Sequence, residues 1–273
     1  MLYWPEFEFD FRLDAPRLFP HIAAVEALQQ AACNRIVPPA WRELPDSESP
    51  QADTTATSNP ELSPINLRKR ELLVTNKSQV QIWVRNRFRP GTEKLSLEDI
   101  LTMHQLVAEE TGVYYKDKNT LRTAGVQVGR REVGGIHVGA PPERLQVLME
   151  QYVQFINGQE LTSFPPAIHS LVAHFFFTTI HPFDDGNGRV SRLVSAAILF
   201  KRGYNGHGFY ALSNYFYHHD IKYHSLLHQC WQMPLPFDLT AFVAFGIEGL
   251  VVELQGISNF LRVKRHRASA SAM

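Results

Sequence analysis

His181-Pro182-Phe183-Asp184-Asp185-Gly186-Asn187-Gly188-Arg189-Val190-Ser191-Arg192 lies between two stretches with helical apolar spacing, Pro166 to Thr179 and Gly188 to Arg202, and its reading decides the fold. Proline after His181 ends the first helix, because the residue before a proline is pushed out of the α region. Asp185 to Gly188 can then close a tight loop, since glycine tolerates positive φ and leaves backbone N–H groups uncovered. A second helix beginning near Gly188 adds its unpaired N–H groups and the positive end of its dipole, which makes the corner an anion cradle. Arg189 and Arg192 are three apart, share one helix face, and both reach a polyphosphate. Two helices joined by a phosphate-binding corner therefore form the centre of the expected fold.

Outward from this corner the helical period recurs at Pro142 to Asn157, near Asp220 to Gln232 and at Leu239 to Leu261. Upstream, Ser96 with Glu98 and Asp99 in the following turn opens a helix that runs through Val107. Asn66 to Phe88 also reads as helical, and His21 to Ala32 as one leading helix carrying Ile22, Val25, Leu28 and Ala32. Only Ala124 to Ala140, where β-branched runs alternate with glycines, reads as strand, in the form of a β-hairpin. Pro45 to Pro64 has almost no large apolar residue and cannot form a core face. The fold class expected is mainly α with one hairpin. Its parts are an N-terminal helical segment at 1–44, a linker at 45–65, a helix at 66–94, a core at 95–230, and C-terminal helices with a basic tail at 231–273.

Bulk properties set the limits. The 273 residues are 44% hydrophobic and 20% charged, which excludes disordered and fibrous classes. The formal net charge is +0, so no global field draws the chain to nucleic acid or an anionic membrane. Two cysteines, Cys33 and Cys230, are too few for a disulfide framework, and the first residues lack the order of a secretory signal. Apolar runs such as Leu193 to Phe200 fall far short of the roughly 20 residues that span a bilayer. The expected setting is the cytoplasm. His218, His219, His224, His228 and Cys230 cluster, but without a paired glutamate they read as a polar helix face rather than a zinc site. The run Arg262 to Arg267 reads as a solvated basic tail, not a nucleic-acid contact.

A phosphate cradle, a carboxylate and an imidazole are the parts that nucleotide transfer requires. Asp185 offers Mg²⁺ a hard oxygen ligand, and His181 can take a proton from an attacking hydroxyl near neutral pH. Attack at the α-phosphorus would release pyrophosphate.

The same stretch resembles the Fic motif, His-x-Phe-x-Asp/Glu-Gly-Asn-Gly-Arg-x-x-Arg, and all eight fixed positions are matched. The resemblance extends over roughly Leu95 to Leu227, through the hairpin with Pro141 and Pro142 and through Tyr223, Leu226 and Leu227. It implies a Fic-type helical bundle with a β-hairpin flap, acting as a Mg²⁺-dependent protein adenylyltransferase that moves AMP from ATP to a Ser, Thr or Tyr hydroxyl of a target protein. By similarity His181 is the general base, Phe183 anchors the loop, and Asp185 binds Mg²⁺. Gly186, Asn187 and Gly188 hold phosphates, and Arg189 and Arg192 bind the β and γ ends. Val126, Gln127, Val128 and Gly129 belong to the flap that holds the target segment by strand addition. A homo-oligomer is compatible with this reading.

Many relatives of this kind carry an inhibitory Ser/Thr-x-x-x-Glu-Gly/Asn helix whose glutamate pairs with the second motif arginine. The counterpart here is Thr75 to Val80, with Gln79 at the glutamate position, so weak or absent autoinhibition is expected. Three alternatives stay open at this point: transfer of another phosphate-containing group, removal of AMP from proteins, and a nucleotide-sensing interaction protein.

Overall fold

Phe175, Phe176 and Phe177 have no exposed surface, and the helix that carries them is buried at each of its 15 positions. A helix apolar all round has to lie at the centre of its bundle, and the other elements are arranged about it. In the computed structural model, which describes residues 4–33, 79–109, 119–129, 135–204 and 212–270, the helices are α1 (Ala15–Cys33), α2 (79–87), α3 (Leu97–Ala108), α4 (Leu145–Ile156), α5 (Gln159–Thr162), α6 (Pro166–Ile180), α7 (Asn187–Lys201), α8 (Leu212–His218), α9 (Asp220–Trp231) and α10 (Thr240–Ala270). The central helix is α6. It packs most extensively on α7, and also on α4 and α10, while α10 runs along α1.

The start of α3 follows the sequence signal. Ser96 Oγ accepts from the Asp99 N–H at 3.1 Å and Asp99 Oδ2 accepts from the Ser96 N–H at 2.9 Å, a reciprocal capping box. The same carboxylate accepts from Arg87 Nε at 3.0 Å, which ties α2 to α3. Val80, Val84 and Phe88, at helical spacing, bury the inner side of α2.

The hairpin is present as β2 (Gln127–Val128) paired antiparallel with β3 (His137–Val138), in the register Gln127 to Val138 and Val128 to His137. Two further strands were not anticipated. β1 (Phe11–Arg12) pairs in parallel with β4 (Phe237–Asp238), too short for alternation to mark either from sequence. Ahead of β1 and in it, Phe7, Phe9 and Phe11 all turn their rings to Phe176. Phe9 stacks on Phe155 at 5.1 Å and meets Phe176 at 5.3 Å between ring centroids. The N-terminal segment is thereby built into the core beside α4 and α6.

Two sequence expectations change at the ends of the chain. The leading helix begins earlier, at Ala15, with Pro16 in its first turn and Pro20 inside it. The last helix runs further than its apolar spacing indicates, since the basic run at 262–267 lies within α10, which is 31 residues long. The expected linker at 45–65 and the region from 66 to 78 lie outside the described residues.

Histidine burial makes this fold sensitive to acid. His137, His169 and His174 are at most 5% exposed, and burial lowers their pKa values to about 4, about 4 and about 3. Unfolded, each titrates near 6.5, so below about 6.5 the unfolded chain binds more protons than the folded one and stability falls as pH falls. Three such groups, at about 1.4 kcal/mol per pH unit each, remove on the order of 4 kcal/mol per unit, a large share of a typical total of about 5–15 kcal/mol. Denaturant unfolding should therefore show a steep loss of stability between about pH 6 and about pH 5, whereas a flat profile there would mean that these imidazoles are not held neutral.

Candidate active site

At the end of α6 the chain turns on His181, which caps the helix in the left-handed conformation at φ 55° and ψ 63°, its N–H donating to Phe177 O at 3.0 Å. A non-glycine residue there costs about 1–2 kcal/mol, and the proline that follows forbids the alternative of continuing the helix. The His181 Nδ1 lies 3.3 Å from Thr178 O. A carbonyl only accepts, so Nδ1 carries the proton and Nε2 holds the lone pair. Burial lowers the His181 pKa to about 3; the Thr178 carbonyl opposes that shift, and His137 and Arg122 add to it. The imidazole is neutral at physiological pH.

The loop beyond His181 is held by one side chain. Asn187, 2% exposed, accepts from the Phe183 N–H at 2.9 Å and donates to Phe183 O at 2.7 Å, closing the turn from both sides. Sequence reasoning grouped Asn187 with the nucleotide-binding residues; its side-chain amide is engaged inside the loop, which leaves its backbone N–H for the cradle. Phe183 is fully buried, as the motif requires, and stacks on the His104 ring at 3.8 Å with a 4° interplanar angle. His104 Nε2 donates to Asp185 O at 3.2 Å, so α3 supports the loop from beneath.

Gly186 takes φ 85° as the N-cap of α7, a conformation that disfavours any side chain, and its carbonyl accepts from Val190 N at 2.9 Å. The first N–H groups of α7, at Asn187 and Gly188, have no intrahelical acceptor, and a helix end of this kind suits an anion. Gly188 leaves room for Arg192: a Cβ there would sit 3.3 Å from Arg192 Nη1. Burial lowers the Arg192 pKa, offset by Tyr223, whose hydroxyl bonds His174 Nε2 at 2.7 Å. Arg189 Nη2 stands 3.8 Å from Asp185 Oδ2, a pair about half exposed and so of small energetic weight. Asp185 Oδ1 also accepts from the Gly186 N–H at 2.5 Å.

The hairpin joins this corner through its base. Ala140 N donates to Ile180 O and Arg122 N to Pro182 O, both at 3.0 Å, so the residues on either side of His181 are bonded to the two arms. Arg122, which sequence reasoning missed, donates from Nε to His181 O at 2.8 Å, from Nη1 to Ala124 O at 2.6 Å and from Nη2 to Ala140 O.

His181, Asp185, Gly186, Gly188, Arg189 and Arg192 are thus brought to one corner, with Val126 to Gly129 on the hairpin bonded to it. Gln79 is an exposed residue of α2; among the described residues no hydrogen bond or ion pair joins it to Arg192, and Thr75 to Ser78 lie outside them. Among the described residues no group of three or more His, Cys, Asp or Glu side chains converges as a metal cage. In the histidine cluster, Cys230 Sγ donates to Asp238 O at 3.5 Å, and burial pushes its thiol up to about 12.

Strain at His181 can be measured apart from its chemistry. His181→Ala and His181→Gly both remove the imidazole, but only glycine accepts the left-handed backbone freely, so the glycine variant should be the more stable by about 1 kcal/mol in denaturant unfolding. Equal stabilities, or alanine the more stable, would show that the turn carries no strain.

Residues 94–199 match the model of the Fic/DOC family. The chain is 32% identical over 111 residues to the protein adenylyltransferase Fic of Drosophila grimshawi, covering 41% of this chain and 21% of that protein. It is 33% identical over 110 residues to the protein of the same name from Aedes aegypti, covering 40% and 20%. The chain thus spans about a fifth of the length of these relatives. Among solved structures, Fic-1 (residues 134–508) of C. elegans superposes with a TM-score of 0.68 at 18% identity, over 90% of this chain and 73% of that one. A Fic family protein of Desulfovibrio desulfuricans G20 gives 0.61 at 17% identity, over 93% and 77%. The fold likeness therefore runs well beyond the family stretch on both sides, and it is over residues 94–199 that the chain is similar to the Fic/DOC family.

Proposed function

We propose that this chain is a protein adenylyltransferase, which moves the AMP part of ATP onto a Ser, Thr or Tyr hydroxyl of another protein. The observation that carries this reading is the neutral His181, its Nε2 lone pair available, at the end of α6 beside the N-terminus of α7. Relatives over the same stretch bear the name protein adenylyltransferase, which supports it.

The N–H groups at the start of α7 and the guanidinium groups of Arg189 and Arg192 hold the β- and γ-phosphates. His181 Nε2 takes the proton of the attacking hydroxyl as its oxygen bonds the α-phosphorus; the bond from that phosphorus to the α,β-bridging oxygen breaks, and pyrophosphate leaves. The hairpin holds the target segment along β2, at Val126 to Gly129. The half-exposed carboxylate of Asp185 fits a Mg²⁺ that takes one or two protein oxygens, phosphate oxygens and water, which is how this ion is usually held. Bound there, Mg²⁺ would neutralise charge on the phosphates. Gly188 stands where the phosphotransferase form bears lysine, and a Cβ there would crowd Arg192 Nη1 at 3.3 Å, which supports AMP transfer over that form. Two cysteines in 273 residues, Cys230 a buried thiol, accord with a reducing compartment such as the cytoplasm.

ATP labelled at the α-phosphate should label protein in a lysate, and ATP labelled at the γ-phosphate should not; the reverse pattern would mark phosphate transfer. His181→Ala should abolish labelling while ATP·Mg²⁺ affinity stays within about twofold by calorimetry, and Asp185→Ala should lose the Mg²⁺-dependent labelling, with little restored by excess Mg²⁺. Full labelling by either variant removes that residue from the scheme.

Regulation is tested at Gln79. If α2 faces the γ-phosphate site, Gln79→Glu should pair with Arg192 and weaken ATP binding on the order of tenfold, through about 1.5–3 kcal/mol of charge-assisted bonding. Substituting Arg192 should erase the difference. Equal affinities for the parent and Gln79→Glu would show that α2 carries no degenerate inhibitory motif.

A further inference from the structure

Arg122 is 2% exposed, yet among the described residues no carboxylate forms an ion pair with it; Asp184 acts on it only at longer range. Its partners are three main-chain carbonyls from three separate places: His181 O at 2.8 Å, Ala124 O at 2.6 Å and Ala140 O. A buried guanidinium of this kind is a poor device for stability, because its desolvation offsets much of what the hydrogen bonds gain. Its planar fork is, however, well suited to fixing the relative positions of several acceptors.

Those acceptors are informative. Ala124 and Ala140 are the bases of the two hairpin arms, and His181 is the residue whose imidazole faces the reaction in the scheme above. Gly139 lies where the three meet: a Cβ on it would come within 2.8 Å of Val126 Cγ1, 3.0 Å of Arg122 Nη2 and 3.1 Å of His181 Cβ. The contact is close enough that the hairpin and the α6 corner cannot move independently without breaking it.

We infer that Arg122 is a positioning residue: its guanidinium locks both arms of the target-holding hairpin to the backbone of His181, so that a hydroxyl carried on the hairpin and the imidazole Nε2 meet in one register. The kinetic part of this inference rests on the adenylyl-transfer reading; the mechanical part does not.

Three forms of the full chain decide it: the parent, Arg122→Lys, which keeps the charge but loses the fork, and Gly139→Ala, which keeps the arginine but crowds the point where Val126, the guanidinium and His181 meet. Circular dichroism should show folded protein. Amide exchange without nucleotide should become about tenfold or more faster at residues 126–129 and 136–139 in both variants, with α4 and α6 unchanged. ATP·Mg²⁺ affinity should stay within about twofold, while transfer of α-labelled AMP at saturating ATP falls roughly 100-fold, the scale of a misplacement of about 1 Å. Variants that keep the parent's exchange and transfer rates would overturn the inference. So would equal losses of ATP affinity and transfer, which would mean that Arg122 supports the phosphate cradle instead. If Arg122→Lys fails to fold, Gly139→Ala carries the test alone. A parent that transfers no AMP would overturn the adenylyl reading, and the exchange comparison would still judge the lock.

Discussion

The backbone of His181 is the constraint on which the rest of this site depends. An all-buried helix ends there, and the next residue, Pro182, prevents its continuation. The chain escapes by taking the left-handed conformation at a non-glycine residue. That turn fixes where the imidazole points, and it exposes the carbonyls of Ile180, His181 and Pro182 to the hairpin on one side. The opposite flank is closed by Asn187 across Phe183 and by His104 under Asp185. Strain of this kind persists only where surrounding contacts over-determine it, and here they come from four separate parts of the chain.

Electrostatics follow from the same packing. A chain with formal net charge +0 sets the first N–H groups of α7 beside Arg189 and Arg192, the arrangement on which the proposed phosphate site rests. Burial, more than any single neighbour, keeps His181 neutral. His137 and the Arg122 guanidinium push the imidazole pKa down further.

The corner was legible from sequence because its signals are local. His181-Pro182, the glycines at 186 and 188 and the arginines at 189 and 192 state a helix stop, a tight turn and a helix start within 12 residues. Ser96 and Asp99 announced α3 for the same reason. What escaped was non-local. Arg122 and His104 act on carbonyls 59 and 81 positions away, and no spacing rule reports such contacts. The β1–β4 pair joins the two ends of the chain across strands of two residues; only the alternation Phe7-Glu8-Phe9-Asp10-Phe11 hinted at an extended segment there. The helical state of the run at 262–267 was not legible, because charge alone does not say whether a basic segment is irregular or the end of a long helix.

The central claim is that this fold holds His181 as a neutral base with the lone pair on Nε2. Nitrogen NMR of the imidazole in the intact chain tests it directly. The account predicts a neutral ring protonated at Nδ1 from about pH 8 to about pH 5, with no titration near the ordinary histidine value of about 6.5. A ring that titrates near 6.5, or one protonated at Nε2 when neutral, would contradict it.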